Sequence, residues 1–184
     1  MDTGPVVEHG GTSARLRCAY PAPYPEVRVA APNPAYAQLL LEDYAGMVSE
    51  LTAINQYLYH HFVLEPVNEE VAELLECISL VEMYHLELLG EAILKLGVDP
   101  RYWTLQSGNS TCYWDASFVF YGTSLCDRLT ADIASEWAAI ANYREHQRRI
   151  NDPYVEELLE RIILDELHHI QLFNHALAKH CQVR

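Results

Sequence analysis

Basic residues are scarce in this chain. Twelve lysines and arginines stand against 26 aspartates and glutamates in 184 residues, a formal net charge of −14. A surface that acidic repels phosphate, so neither nucleic acid nor an anionic membrane is expected as a partner. Long apolar runs are missing as well. No stretch approaches the ~18 residues that a membrane span needs. The opening MDTGPVVEHGGTSARLRCAY lacks the apolar centre of a signal peptide. Cysteines are few, odd in number and scattered (Cys18, Cys77, Cys112, Cys126, Cys181), with no C-x-x-C. That argues against a disulfide framework, a zinc ribbon or a rubredoxin-type iron site, and makes the reducing cytoplasm the expected compartment.

Proline is nearly absent beyond residue 34; six of the nine lie before residue 35. Residues 1–33 are therefore expected to be an extended, irregular arm, with the first dozen residues disordered and Tyr20-Pro21-Ala22-Pro23-Tyr24-Pro25 able to lie along a bundle. Beyond it, one domain of residues 34–184 should hold four helices. The first starts at an Asn33 cap with Pro34 in its first turn and runs to about Leu64, with Asp43, Met47, Glu50, Ile54, Tyr57, His61 and Leu64 inward. Asn68 caps the second, which presents Leu75, Ile78, Glu82, His85, Leu89, Ala92 and Leu96 and stops at Gly97. The third, from about Ser124 to Ile150, turns Leu129, Ile133, Glu136, Ile140, Tyr143, Gln147 and Ile150 inward. The fourth, opened by Asn151-Asp152-Pro153, presents Leu159, Ile162, Glu166, His169, Phe173, Ala176 and His180. Periodicity vanishes over about 98–123, an aromatic-rich stretch long enough to cross the length of a bundle and packed on it or on another subunit.

Two stretches repeat. Ala45–His60 (AGMVSELTAINQYLYH) matches Ala131–His146 (ADIASEWAAIANYREH), and Val71–Ile93 matches Val155–Leu177. The matched positions include Glu50/Glu136, Tyr57/Tyr143, His60/His146, Glu82/Glu166 and His85/His169. In Glu82-Met83-Tyr84-His85 and Glu166-Leu167-His168-His169 the carboxylate and the imidazole are three residues apart, on one helix face. One Glu or one Glu-x-x-His from each of four helices is a ligand set for two metal ions. Glu82 sits inside an apolar stripe, whereas Glu69, Glu73, Glu76, Glu87 and Glu91 read as solvated surface. Four converging carboxylates would repel one another without cations. The metal-ligand candidates are thus Glu50, Glu82, His85, Glu136, Glu166 and His169, binding two divalent transition-metal ions per chain. Asp165 and His168 offer a rival three-residue register, but the repeat matches them to Val81 and Tyr84, so they face outward or support the ligands. The hydroxyls of Tyr57 and Tyr143 can reach a ligand on a neighbouring helix, or they belong to core tyrosines bonded to backbone. His60, His61, His146, His175 and His180 read as ordinary surface or core residues.

With these motifs, residues 34–180 resemble the ferritin-like superfamily of dimetal-carboxylate proteins. YPEVRVAAPNPAYAQLLLEDYAG resembles the segment before the first helix of manganese catalases and their spore-coat relatives. Departures exist. Ser135 precedes Glu136 where a manganese catalase has a basic residue, Ala139 stands where rubrerythrins carry a further carboxylate, and bacterioferritins share the symmetrical Glu-x-x-His. The resemblance implies an all-α, ferritin-like four-helix bundle, two hairpins joined by a long crossover. It implies that Glu50 and His85 belong to one ion and Glu136 and His169 to the other, with Glu82 and Glu166 between them. The expected function is a dinuclear non-haem manganese or iron oxidoreductase acting on hydrogen peroxide or dioxygen, catalase- or peroxidase-like, in a homo-oligomer. Ferroxidase and iron storage, or a structural coat-like metal-binding role, are the alternatives.

Overall fold

The computed structural model describes residues 17–106 and 110–181. The expectation for the first dozen residues and the Gly108-Asn109 turn lie outside them. Among the described residues five α-helices build the bundle: α1 (Pro34–Ala45), α2 (Glu50–Leu64), α3 (Glu69–Lys95), α4 (Leu125–Arg149) and α5 (Pro153–His180). The expected single first helix is thus two, which corrects the sequence reading. Gly46 closes α1 by donating its N–H to the Glu42 carbonyl. Ser49 then caps α2, its hydroxyl oxygen accepting the Thr52 N–H. Met47 lies in this break, two-thirds exposed rather than inward.

Asn33, Asn68 and Asp152 cap their helices as expected and Ser124 caps α4; each accepts backbone N–H groups in the first turn of the helix it opens. α2 pairs with α3, and α4 with α5, as antiparallel hairpins, and α1 packs across α3 and α4. At Gly90 the absence of a side chain lets the Tyr44 ring of α1 lie against α3. The crossover holds a small antiparallel ladder, β1 (Trp103–Gln106) with β2 (Ser110–Tyr113), and a 3₁₀ turn at Ala116–Phe118. Strands of four residues are too short to register as periodicity, so the sequence showed only a loop. No helix among the described residues is long and apolar enough to cross a membrane.

Two apolar clusters fill the interior. One gathers Leu40, Leu89, Ile93, Leu159 and Ile163; the other gathers Leu64, Leu75, Ile78, Leu129 and Phe173. Along α3 and α5 the two Glu-x-x-His pairs fall between them. The arm, residues 17–33, lies along α3 and α5 and is pinned by hydrogen bonds to Asp152, Arg161 and Asp165. A disulfide also joins Cys18 of the arm to Cys77 of α3, and a second joins Cys126 to Cys181. This overturns the expectation of unpaired cysteines: spacing along the chain says nothing about which Cα atoms the fold brings within 6 Å.

Candidate metal centre

Each candidate ligand arrives on the helix expected to carry it. Glu50 is the first residue of α2, Glu82 and His85 lie mid-way along α3, Glu136 on α4, and Glu166 and His169 on α5. All six are buried. Glu50, Glu82, His85 and Glu166 form one group that could surround an ion; Glu82, Glu136, Glu166 and His169 form a second, and in each group the ligand atoms lie within 4.8 Å of one another. Glu82 and Glu166 are common to both. The histidines face this cluster through Nδ1. His85 Nδ1 is 2.9 Å from Glu82 and 3.3 Å from Glu166; His169 Nδ1 is 2.9 Å from Glu82 and 3.0 Å from Glu166.

Four carboxylates in so small a volume demand positive charge. Burial first, and then the fields of Glu82 and Glu166, push Glu50 and Glu136 well above the usual carboxylate range. Burial pulls both imidazoles down, yet the surrounding carboxylates outweigh it and raise them well above their ordinary value. Glu82 is held down at about 2, because His169 and His85 overcome its burial. Protons thus take up the role for which two divalent cations are suited. Hard oxygens with one imidazole per group fit iron or manganese better than a soft-ligand metal. Glu82 Oε1 and Glu166 Oε1, both buried, face His169 Nδ1 at 2.9 Å and His85 Nδ1 at 3.3 Å without a well-aligned hydrogen bond among the described residues. The donor set and these inward lone pairs fit a dinuclear centre.

The tyrosines bond to glutamates across the bundle. Tyr57 donates its hydroxyl to Glu136 Oε1 at 2.7 Å, and Tyr143 donates to Glu50 Oε1. A cavity of about 210 Å³ opens onto Glu50, Glu82, Glu136 and Glu166 between α2 and α4, with Phe118 and Phe120 of the crossover among its walls. The crossover is fastened there. Trp114 donates to the Thr52 hydroxyl, Phe120 N–H donates to Gln56, and His60 bridges the Phe120 carbonyl and Asp132.

Several residues escaped the sequence reading. His60, His146 and Asp132 are buried, whereas His61, Gln147 and Ile133, expected inward, are only half-buried; Glu50, Ile54, Tyr57, Leu129, Glu136, Ile140 and Tyr143 on the same helices are buried as expected. Asp165 takes the second of the two roles expected for it, buried and bonded to His85 Nε2 rather than facing outward; Arg161 one turn before it, not singled out in the sequence, is buried too. An arginine four residues ahead of an aspartate was the available signal, but that spacing is common on solvated faces.

Residues 24–104 match the family model described as manganese containing catalase. A probable manganese catalase of Clostridium acetobutylicum is 29% identical over 171 residues, covering 84% of this chain and 75% of that one. The Mycobacterium leprae bacterioferritin is 31% identical over 150 residues, covering 79% of this chain and 86% of that one. Among solved structures, the manganese catalase KatB of Anabaena PCC7120 superposes with a TM-score of 0.77 at 29% identity, covering 87% of this chain and 78% of that one.

Proposed function

Because the chain belongs to the ferritin-like superfamily of dimetal-carboxylate proteins, and binds two divalent iron or manganese ions, we propose that it is an oxidoreductase acting on hydrogen peroxide or dioxygen. The observation that carries the reading is the pair of four-residue groups sharing Glu82 and Glu166 at the foot of a narrow cavity. In it Glu50 and His85 hold one ion, Glu136 and His169 the other, and Glu82 and Glu166 lie between them. Two redox ions side by side exchange two electrons together, which matches the O–O bond. Tyr57 and Tyr143 fix the rotamers of Glu136 and Glu50, so each carboxylate keeps one oxygen aimed at the centre. Apolar walls at Val48, Ala53, Phe118, Phe120 and Ala139, above a floor of acidic groups, favour a small neutral molecule and disfavour anions. Catalase-like similarity over most of the chain supports peroxide as that molecule.

Ferroxidase and iron storage form a second reading, favoured by the 31% identity to a bacterioferritin. We place either activity in a homo-oligomer. The deciding experiment is elemental analysis of protein from cells given both metals, followed by oxygen evolution from peroxide and sizing of the assembly. About two manganese per chain with oxygen evolution supports the catalase-like reading. A large excess of iron in a hollow many-subunit particle supports storage. Glu82→Ala and His85→Ala should each drop the metal content below two per chain and cut turnover by about 100-fold or more. A variant with wild-type metal content would remove that residue from the ligand set.

A further inference from the structure

The repeat makes the two halves of the centre alike on the side facing the cavity of carboxylates. It does not make them alike behind the histidines. His85 Nε2 lies 2.9 Å from Asp165 Oδ2. His169 Nε2, equally buried, has no partner among the described residues. The reason is in the sequence register: Val81 occupies on α3 the place that Asp165 occupies on α5, and a valine accepts nothing.

Asp165 is itself held from several directions. Arg161 pairs with it at 2.6 Å, Tyr24 donates its hydroxyl at 2.7 Å, and the Tyr20 backbone N–H donates at 2.7 Å. Arg161 in turn donates to the carbonyls of Tyr20 and Ala22 and lies 3.8 Å over the Tyr24 ring. The arm that supplies these groups is tied to α3 by the Cys18–Cys77 bridge, two residues before Tyr20. His85 therefore has a rigid anionic acceptor behind it, and His169 has none among the described residues.

The chemistry of an imidazole ligand makes that difference matter. A ring that gives its Nδ1 lone pair to an ion must carry its hydrogen on Nε2. At His85 this N–H meets Asp165, which fixes the tautomer and the ring and strengthens the ligand. At His169 the same N–H is buried without an acceptor among the described residues, an arrangement that disfavours ion binding.

Resting on the ligand set proposed above, we propose that the two metal positions are unequal. Asp165 is a positioning residue that makes the Glu50/His85 position the tighter one, leaving the Glu136/His169 position weaker and more readily exchanged.

The test is Mn(II) titration of the full chain after chelator treatment, read by equilibrium dialysis and by electron paramagnetic resonance. Wild type should bind two Mn(II) in two classes separated by at least about 10-fold. One equivalent should give an isolated-ion spectrum and two a coupled pair. Asp165→Asn should weaken the tighter class by about 10- to 100-fold and leave the weaker class unchanged. Tyr24→Phe, which keeps the ring and removes one bond to Asp165, should shift the same class in the same direction by less, and it serves where the Asn variant fails to fold. Two equal classes in wild type overturn the proposal, as does a loss shared equally by both classes in the variants. Absence of any bound Mn(II) in wild type removes the ligand set itself, and the inequality with it.

Discussion

His146 meets Asp43 at 2.7 Å, and both side chains are buried. Burial pulls the imidazole down, but the hydrogen bond and charge of Asp43 outweigh it and raise His146 above its ordinary value. Asp43 is pushed up to about 6, by burial first, against the opposing pull of His146. Both folded values exceed the unfolded ones, so the native state holds the extra protons and stability falls as pH rises through this range. The histidine's share is fully present below its unfolded value of about 6.5 and is lost as pH climbs through the folded value. His146→Gln should therefore cost more stability at pH 6 than at pH 9, by on the order of 1 kcal/mol, in urea unfolding. Equal costs at the two values would refute it. Half of this pair was legible: Asp43 falls on the inward stripe, whereas His146 was passed over for Gln147 beside it. Glu82 was fully legible, because a carboxylate flanked by Ile78, Leu75 and Leu89 on one face has to be reconciled with burial. Asp165 was legible only as one of two options, outward or supporting a ligand, because the partners that decide it, Tyr20 and Tyr24, lie 145 and 141 residues away.

Among the elements, the break between α1 and α2 departs most from the sequence reading. Asp43, Met47 and Glu50 keep helical spacing across it, so periodicity alone runs straight through. The chain marks the break with capping chemistry instead. Ser49 donates its hydroxyl to the Gly46 carbonyl at 2.8 Å, and Thr52 does so at 3.0 Å. A Cβ on Gly46 would stand 2.5 Å from the Glu42 carbonyl oxygen, a backbone atom that cannot swing aside. Gly46→Ala should destabilise the protein by about 1–3 kcal/mol, seen as a lowered denaturation midpoint with an unchanged slope. An unaltered midpoint would mean that the break accommodates a side chain. The repeat partner of Ser49 is Ser135, in the middle of α4. The same residue type therefore caps one helix and rides inside another; Gly46 and Thr52, which hold the break, are matched in the second repeat by Asp132 and Ala138.

For the molecule as a whole, cations and covalent bridges act on the same bundle. Removing the ions leaves four buried carboxylates facing one another, so chelator-treated protein should melt about 5–10 °C lower than metal-replete protein in calorimetry, with recovery on adding Mn(II) or Fe(II). An unchanged melting temperature would mean that the bundle stands without metal. The bridges close loops spanning 59 and 55 residues, and both lie toward the end of the bundle where α3 and α4 begin and α5 ends. What the sequence determined by itself was written in local spacing: the three later helical spans and the outer ends of the first, with their Asn and Asp caps, two hairpins of one ancestry, and six ligand candidates on matched faces. Those follow from interactions within a few residues, which the chain carries wherever it goes. The tertiary structure alone decided which cysteines meet, how the arm reaches Asp165, where the aromatic crossover walls the cavity, and why two repeat-related histidines stand in different surroundings. Each of these joins groups far apart in the chain, and their distances exist only once the core has closed around them.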